Sequence, residues 1–249
     1  MKKIFRIRIL PVLLAGVCLT FFNACEKDEK NNDGEDDSKK IVFNPDKSYG
    51  TLSDIDGNVY KTIAIGTQIW MAENLKTEHY ANGDIINHIV DPIPWEDATD
   101  GAWTYYGNDS EMNDDYGKLY NWLAVEDPRN ICPSGWHIPD DPEWEALLTN
   151  LGGYLVAGAK MKETGLNHFA YSNEGSTNES GFTGLPGGMR DYGSWTHDLG
   201  LTGYFWSSTN ATDYYDLDAY YYYLSRDQDA MLDGTGDKNN GLSCRCVKD

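Results

Sequence analysis

The sequence predicts an α+β domain of loop-rich antiparallel strands with two short helices. Among 249 residues are 8 Trp, 17 Tyr and 25 Gly, a load that suits a β-rich core filled by rings. Short alternating runs are bounded again and again by Asn, Asp, Gly and Pro, which break regular structure. Only two stretches place apolar residues at helical spacing.

Residues 1–24 are read as a targeting leader outside the fold. Lys2, Lys3, Arg6 and Arg8 make a basic start, and Ile9 to Phe22 is almost wholly apolar. That run is short for a membrane span, which takes about 20 apolar residues, and it suits a signal peptide. It ends in Phe22-Asn23-Ala24-Cys25. A small residue directly before a cysteine resembles the lipobox of bacterial lipoproteins, from which Phe22 and Asn23 depart. The resemblance implies a lipid on Cys25 and the membrane as a partner. Residues 25–43 are expected to be a disordered acidic tether, because Glu26 to Lys40 contains no apolar residue. Its acids resemble a surface-export signal in some Gram-negative lipoproteins and equally suit a solvated spacer.

Residues 44–249 are expected to form the folded domain. Leu52–Ile55 and Val59–Ile65 flank Asp56-Gly57-Asn58, a hairpin signal. Gly66-Thr67-Gln68 turns into a third strand at Ile69–Met71. Asp54, Asp56 and Asn58 mimic the start of an EF-hand loop, but the downstream glutamate and flanking helices are missing, so the segment reads as a turn. Residues 76–115 read mostly as loop, with Trp95 and Trp103 tucked onto the core. A first helix is expected over Tyr116–Glu126, from the spacing of Leu119, Trp122 and Leu123. A second follows Pro139, with Asp140 or Asp141 as cap, Pro142 in the first turn and Gly152-Gly153 as stop. Its apolar face is Trp144, Leu147, Leu148 and Leu151. The remainder reads as strands at 205–209, 219–225 and 242–247, with a turn at Gly234-Thr235-Gly236-Asp237.

The net charge of −20 argues against nucleic acid as a partner, because no basic stripe is present. Scattered histidines lack zinc spacing. No Gly-x-Ser-x-Gly stands at a strand-to-helix turn, and no carboxylate pair is singled out. No catalytic residue, cofactor or metal is expected. Cys132, Cys244 and Cys246 suit an oxidising compartment, with one disulfide and one spare thiol.

Six blocks in order resemble the Fibrobacter succinogenes major paralogous domain. They are DIDGNVYKTIAIGTQIWMAENL, YGKLYNWLA, ICPSGWHIPDDPEWEAL, GFTGLPGGMRDYG, YFWSST and GLSCRCVKD, covering about residues 50–249. The terminal blocks also resemble the C-type-lectin-like fold, shared by formylglycine-generating enzymes and by ligand-binding variable proteins. The family resemblance implies a Cys132–Cys246 disulfide, with Cys132–Cys244 as the alternative. Cys244 departs from the family pattern.

Extracellular sugar sites combine exposed rings with polar side chains. The segment 213–223 offers both, and Tyr214, Tyr215, Asp216, Asp218, Tyr220 and Tyr222 are the ligand-binding candidates. Alternation leaves open which of Tyr220 to Tyr223 face inward. His137 and Trp206 read as structural residues. The sequence reading is therefore a lipid-anchored outer-membrane protein that recognises an extracellular glycan or protein. The alternatives are a structural subunit of a surface assembly and a formylglycine-generating-like enzyme using Cys244 and Cys246.

Overall fold

The computed structural model describes residues 40–173, 175–193, 195–212 and 216–249. The leader, Cys25, most of the expected tether, Tyr214 and Tyr215 lie outside the described residues. The folded chain is mostly β-sheet with a few short helices, an α+β arrangement.

β1 (Gly50–Ser53) and β2 (Val59–Ile65) form the expected antiparallel hairpin, with Ser53 opposite Val59. The Asp54 carboxylate accepts from the backbone N–H groups of Asp56 and Asn58 at 3.0 and 2.9 Å. It also accepts from the Tyr60 hydroxyl at 2.6 Å. These bonds make the EF-hand-like segment an Asx-type turn. β3 (Gln68–Met71) pairs antiparallel with β2. Short elements punctuate the next loop: β4 (Asn87–His88), α1 (Pro92–Glu96), β5 (Ala102–Thr104) and α2 (Asn113–Tyr116). Trp95 and Trp103 are buried there as expected.

The expected first helix is not continuous. Gly117 stands at φ 68°, ψ −156°, which breaks the helix because side-chain-bearing residues avoid that region. Leu119–Tyr120 (β6) pairs with β5 instead. Past Gly117 the helical part is Trp122–Val125 (α3), capped by the Asn121 side chain accepting from Ala124 N. Leu119 and Trp122 are both buried; a strand and a helical turn in succession produced the helix-like spacing.

β7 (Trp136–His137) leads into α4 (Asp141–Asn150), which matches expectation. Asp140 accepts from Glu143 N at 3.0 Å while Glu143 accepts from Asp140 N at 3.1 Å, a capping box. Gly152 and Gly153, both at φ 98°, stop the helix. α5 (Tyr154–Met161) is a helix where the sequence reading places none. It buries Ala157, Gly158 and Met161 and leaves Tyr154, Leu155 and Val156 exposed. A methyl at Gly158 would stand 2.3 Å from the Ala230 carbonyl oxygen. Close backbone approach thus replaces the large apolar stripe that sequence patterns detect.

The remaining strands are β8 (Gly187–Arg190), β9 (Thr196–Leu199), β10 (Thr202–Asn210), β11 (Asp218–Ser225), β12 (Met231–Asp237) and β13 (Val247–Lys248). The expected turn at 234–237 is part of β12. Gly234 lies opposite Tyr221, and a Cβ there would be 2.9 Å from the Tyr221 ring. At Gly236 a Cβ would be 3.1 Å from the same ring. Both glycines let an aromatic ring cross the sheet, as strand glycines can. The sheets run β1-β2-β3-β13-β7, β12-β11-β10-β8-β9 and β4-β5-β6. The pairs β8–β10 and β4–β5 are parallel, a departure from an all-antiparallel expectation.

Alternation splits the core in two. Phe205, Tyr222 and Leu224 join Trp70, Trp144 and Phe182 on one side, against α4 and α5. Trp206 and Ala219 join Trp103, Trp122 and the cystine on the other. Trp206 is fully buried, and its indole N–H donates to Tyr120 O at 2.8 Å. The disulfide is Cys132–Cys246, and Cys244 is a buried free thiol.

Long loops leave backbone carbonyls to satisfy, and buried cations do so here. Lys162 Nζ donates to the carbonyls of Ser225 and Gln228 at 3.2 and 2.9 Å. Arg190 donates to those of Ile89 and Val90 at 3.1 and 3.0 Å. Lys118 donates to Lys76 O at 2.6 Å.

His137 ties the last residue to α4. Its Nδ1 is 2.7 Å from Asp249 Oδ1 and its Nε2 is 2.9 Å from Glu143 Oε2. Burial works against the charged ring, but the bonds to Asp249 and Glu143 outweigh it and raise the pKa above 6.5. A raised folded pKa gives a stabilisation that is fully present below 6.5 and is lost as pH rises through the folded value. The unfolding midpoint of the parent should therefore exceed that of His137→Gln at pH 5.5, with the gap closing by pH 8.5. A gap independent of pH would remove this role.

Candidate functional site

Position 222 of β11 lies opposite Phe205 on β10 and Asp233 on β12. Residues two apart on a strand share a face, so Tyr220 and Tyr222 point toward α4 and α5. On α4, Asp141 and Glu145 are four apart and share one helix face. The start of α5 adds Tyr154. Together these line an open groove of about 500 Å³, with Asp233 on its strand wall.

The groove floor is closely packed. Tyr222 is 5 % exposed and stacks on Trp144, with ring centroids 4.8 Å apart and planes at 20°. Tyr220 is half-buried and Tyr154 exposed, so their rings are available at the walls. Asp141 Oδ1 accepts from Ser207 Oγ at 2.7 Å. Burial pushes the Asp141 carboxyl up; the Ser207 bond opposes this, and repulsion from Asp233 and Glu145 adds to it. Burial and the same carboxylates raise the Tyr222 hydroxyl. Among the described residues lining the groove, none is basic. It is an acceptor-rich slot with aromatic surfaces, suited to a ligand that offers hydroxyl or ammonium donors and a weakly apolar face.

The other candidates lie elsewhere. Asp216, at φ 56°, accepts from Asn210 Nδ2 and Lys238 Nζ at 2.6 and 3.0 Å, pinning the approach to β11. Asp218 is half-buried opposite Asp237 at the β11 start. Tyr221 and Tyr223 face away from the groove and pack with Tyr204. Sequence reasoning missed Asp141, Glu145, Asp233 and Tyr154. The four-residue spacing of Asp141 and Glu145 beside Trp144 was the available signal. Among the described residues, no group of three or more His, Cys, Asp or Glu is placed to hold a metal ion. None of their helices is long and apolar enough to cross a membrane.

Fold and groove define a class: a β-rich α+β domain, tied from middle to end by one disulfide and opened on one side by an acidic, tyrosine-lined slot. The family model of the Fibrobacter succinogenes major domain matches residues 63–248, and the chain belongs to that family. No curated protein and no solved structure matches the chain.

Proposed function

We propose that this protein is a non-catalytic recognition module, held at the outer membrane by a lipid on Cys25, that binds an extracellular glycan through the Tyr220–Tyr222 groove. The groove itself carries the reading: aromatic walls beside carboxylate acceptors, with no basic side chain among its described lining residues. Sugars present apolar C–H faces to rings and O–H donors to such acceptors. A C-type-lectin-like arrangement accords with the terminal sequence blocks and the cystine that fastens the last strand. The anchor reading rests on the basic and apolar leader that ends at Cys25. Hydrocarbon burial at about 0.8 kcal/mol per methylene makes a multiply acylated cysteine a lasting anchor.

One observation favours a protein partner as the second reading. Tyr154, Leu155 and Val156 are 53, 65 and 42 % exposed, forming an apolar ridge at the groove's edge of the kind that marks contact surfaces.

Calorimetry of the full chain in detergent against defined oligosaccharides tests the groove. Tyr220→Ala and Asp233→Asn should each weaken binding by about tenfold, the loss expected for one ring stack or one hydrogen bond. Equal affinity in all three proteins would remove the groove from the function. Release of new reducing ends would overturn the non-catalytic part. Cys25→Ser should move the protein from the membrane to the soluble fraction; unchanged fractionation would sink the anchor.

A further inference from the structure

The groove's carboxylates lack the partners that other carboxylates of this chain find. Glu78 pairs with Lys118, Glu179 with Lys160 and Asp216 with Lys238. Glu145 and Asp233 are exposed and line the slot. Neither side chain makes a hydrogen bond or ion pair with a described residue. Asp141 completes the set: its Oδ1 accepts from Ser207 Oγ at 2.7 Å, and its Oδ2 has no partner among the described residues.

These acids are close enough to repel one another. Burial raises the Asp141 carboxyl, and Asp233 and Glu145 raise it further. Burial also raises the Tyr222 hydroxyl, and Asp141, Asp233 and Glu145 each add to that. Yet they are not gathered around one point as a metal ion needs. Their charge is spread along a slot of about 500 Å³, the size of site that takes a small organic ligand. The complementary cation must therefore be an extended body rather than a single ion. Tyr220 and Tyr154 stand along the same slot, so that body must also carry faces that rest on rings.

We propose that the groove selects a cationic glycan, a chain of amino sugars bearing free ammonium groups, over neutral and N-acetylated chains; this rests on the glycan-binding reading of the same groove. The ammonium groups meet Glu145, Asp233 and Asp141, and the C–H faces lie on Tyr220 and Tyr154. Tyrosine faces also attract an ammonium directly. A neutral chain leaves the three carboxylates facing one another without a counter-charge. An N-acetylated chain puts a carbonyl-bearing amide in place of each ammonium, and the described lining has no basic side chain to donate to it. A basic peptide brings a backbone carbonyl with every residue and meets the same lack.

The test is calorimetry on the full chain in detergent at about pH 6, where the carboxylates are ionised and the sugar amines protonated. The probes are β-1,4-linked oligomers of equal length built from glucosamine, N-acetylglucosamine or glucose, with spermine as an ammonium chain that has no ring faces. The glucosamine oligomer should bind about tenfold or more tighter than the other three, a gain of the size of one charge-assisted hydrogen bond. Glu145→Gln combined with Asp233→Asn should abolish that preference. Glu96→Gln combined with Glu111→Gln removes the same charge from exposed positions off the groove and should preserve it. Equal loss in both double variants would reduce the effect to bulk charge and refute the inference. Spermine binding as tightly as the glucosamine oligomer would refute it as well. If the glucose oligomer binds equally well and loses affinity in Tyr220→Ala, the groove binds glycans and only the cationic selectivity fails. If no oligomer binds, both readings fail.

Discussion

Replacing both Cys132 and Cys246 by alanine should lower the unfolding free energy by about 4–5 kcal/mol, an upper figure from loop-closure entropy. The bridged residues are 114 apart in sequence, so reduction frees nearly half of the chain in the unfolded ensemble. Domains of this size are stable by only about 5–15 kcal/mol, so the variant should retain a folded population at room temperature and lose most of it when warmed. Urea titration checks this: the midpoint should fall, and the slope should rise as the unfolded chain expands. Cys244 sharpens the test. It is fully buried, and burial pushes its thiol pKa well up, which makes it a poor nucleophile. Cys246→Ala alone should therefore leave Cys132 unpaired rather than bridged to Cys244. Labelling should find two thiols that react only on unfolding. A native-state Cys132–Cys244 bridge in that variant would show that the terminal strand can slide to an alternative pairing.

The sequence made the hairpin at 50–65, the capped helix α4 and the core strands β10 and β11 legible, because each rests on local chemistry. An Asp-Gly turn, an acidic, proline-led helix start and alternating rings are read within a few residues. The misses share the opposite cause. α5 is helical because Gly158 lets it press on Ala230, a partner 72 positions away. Gly234 is in a strand because the Tyr221 ring crosses it. At 116–126 the pattern could not show that Gly117 would leave the helical region. Long-range fit decided all three.

The candidate site was legible only in part, for the same reason. Tyr220 and Tyr222 were visible as rings on one strand, but the acids that face them come from α4 and β12 and meet only in the fold. The buried cations were missed as well. Lys118, Lys162, Arg190 and Arg245 each stand near apolar or small residues, which is a usable cue that a charge is drawn inward. Most of their acceptors are backbone carbonyls, which carry no side-chain signature.

Arg245 shows what such a cation does for the fold. It is fully buried. Its Nε donates to Asn74 Oδ1 at 2.8 Å, one Nη donates to Thr183 O at 2.8 Å, and the other donates to Phe182 O. The guanidinium carbon lies 4.2 Å from the centroid of the Phe182 ring. Burial lowers its pKa, while Glu73 and Tyr49 favour the charge. No carboxylate is bonded to it among the described residues; the acceptors are backbone carbonyls and one amide. Arg245→Ala should then cost about 3–5 kcal/mol, since it opens a cavity and leaves acceptors buried without donors. Arg245→Met refills most of the volume but supplies no donor, so it should recover only the cavity share, roughly 1–2 kcal/mol. Arg245→Lys restores one compact donor and should fall between Met and the parent, because an ammonium cannot span the fork of acceptors. Chemical denaturation of the three variants gives the order parent, Lys, Met, Ala. If Met matched the parent, the 182–183 carbonyls would have other donors within reach, and the cation would be a filler rather than the tie between the terminal segment and the loop before β8.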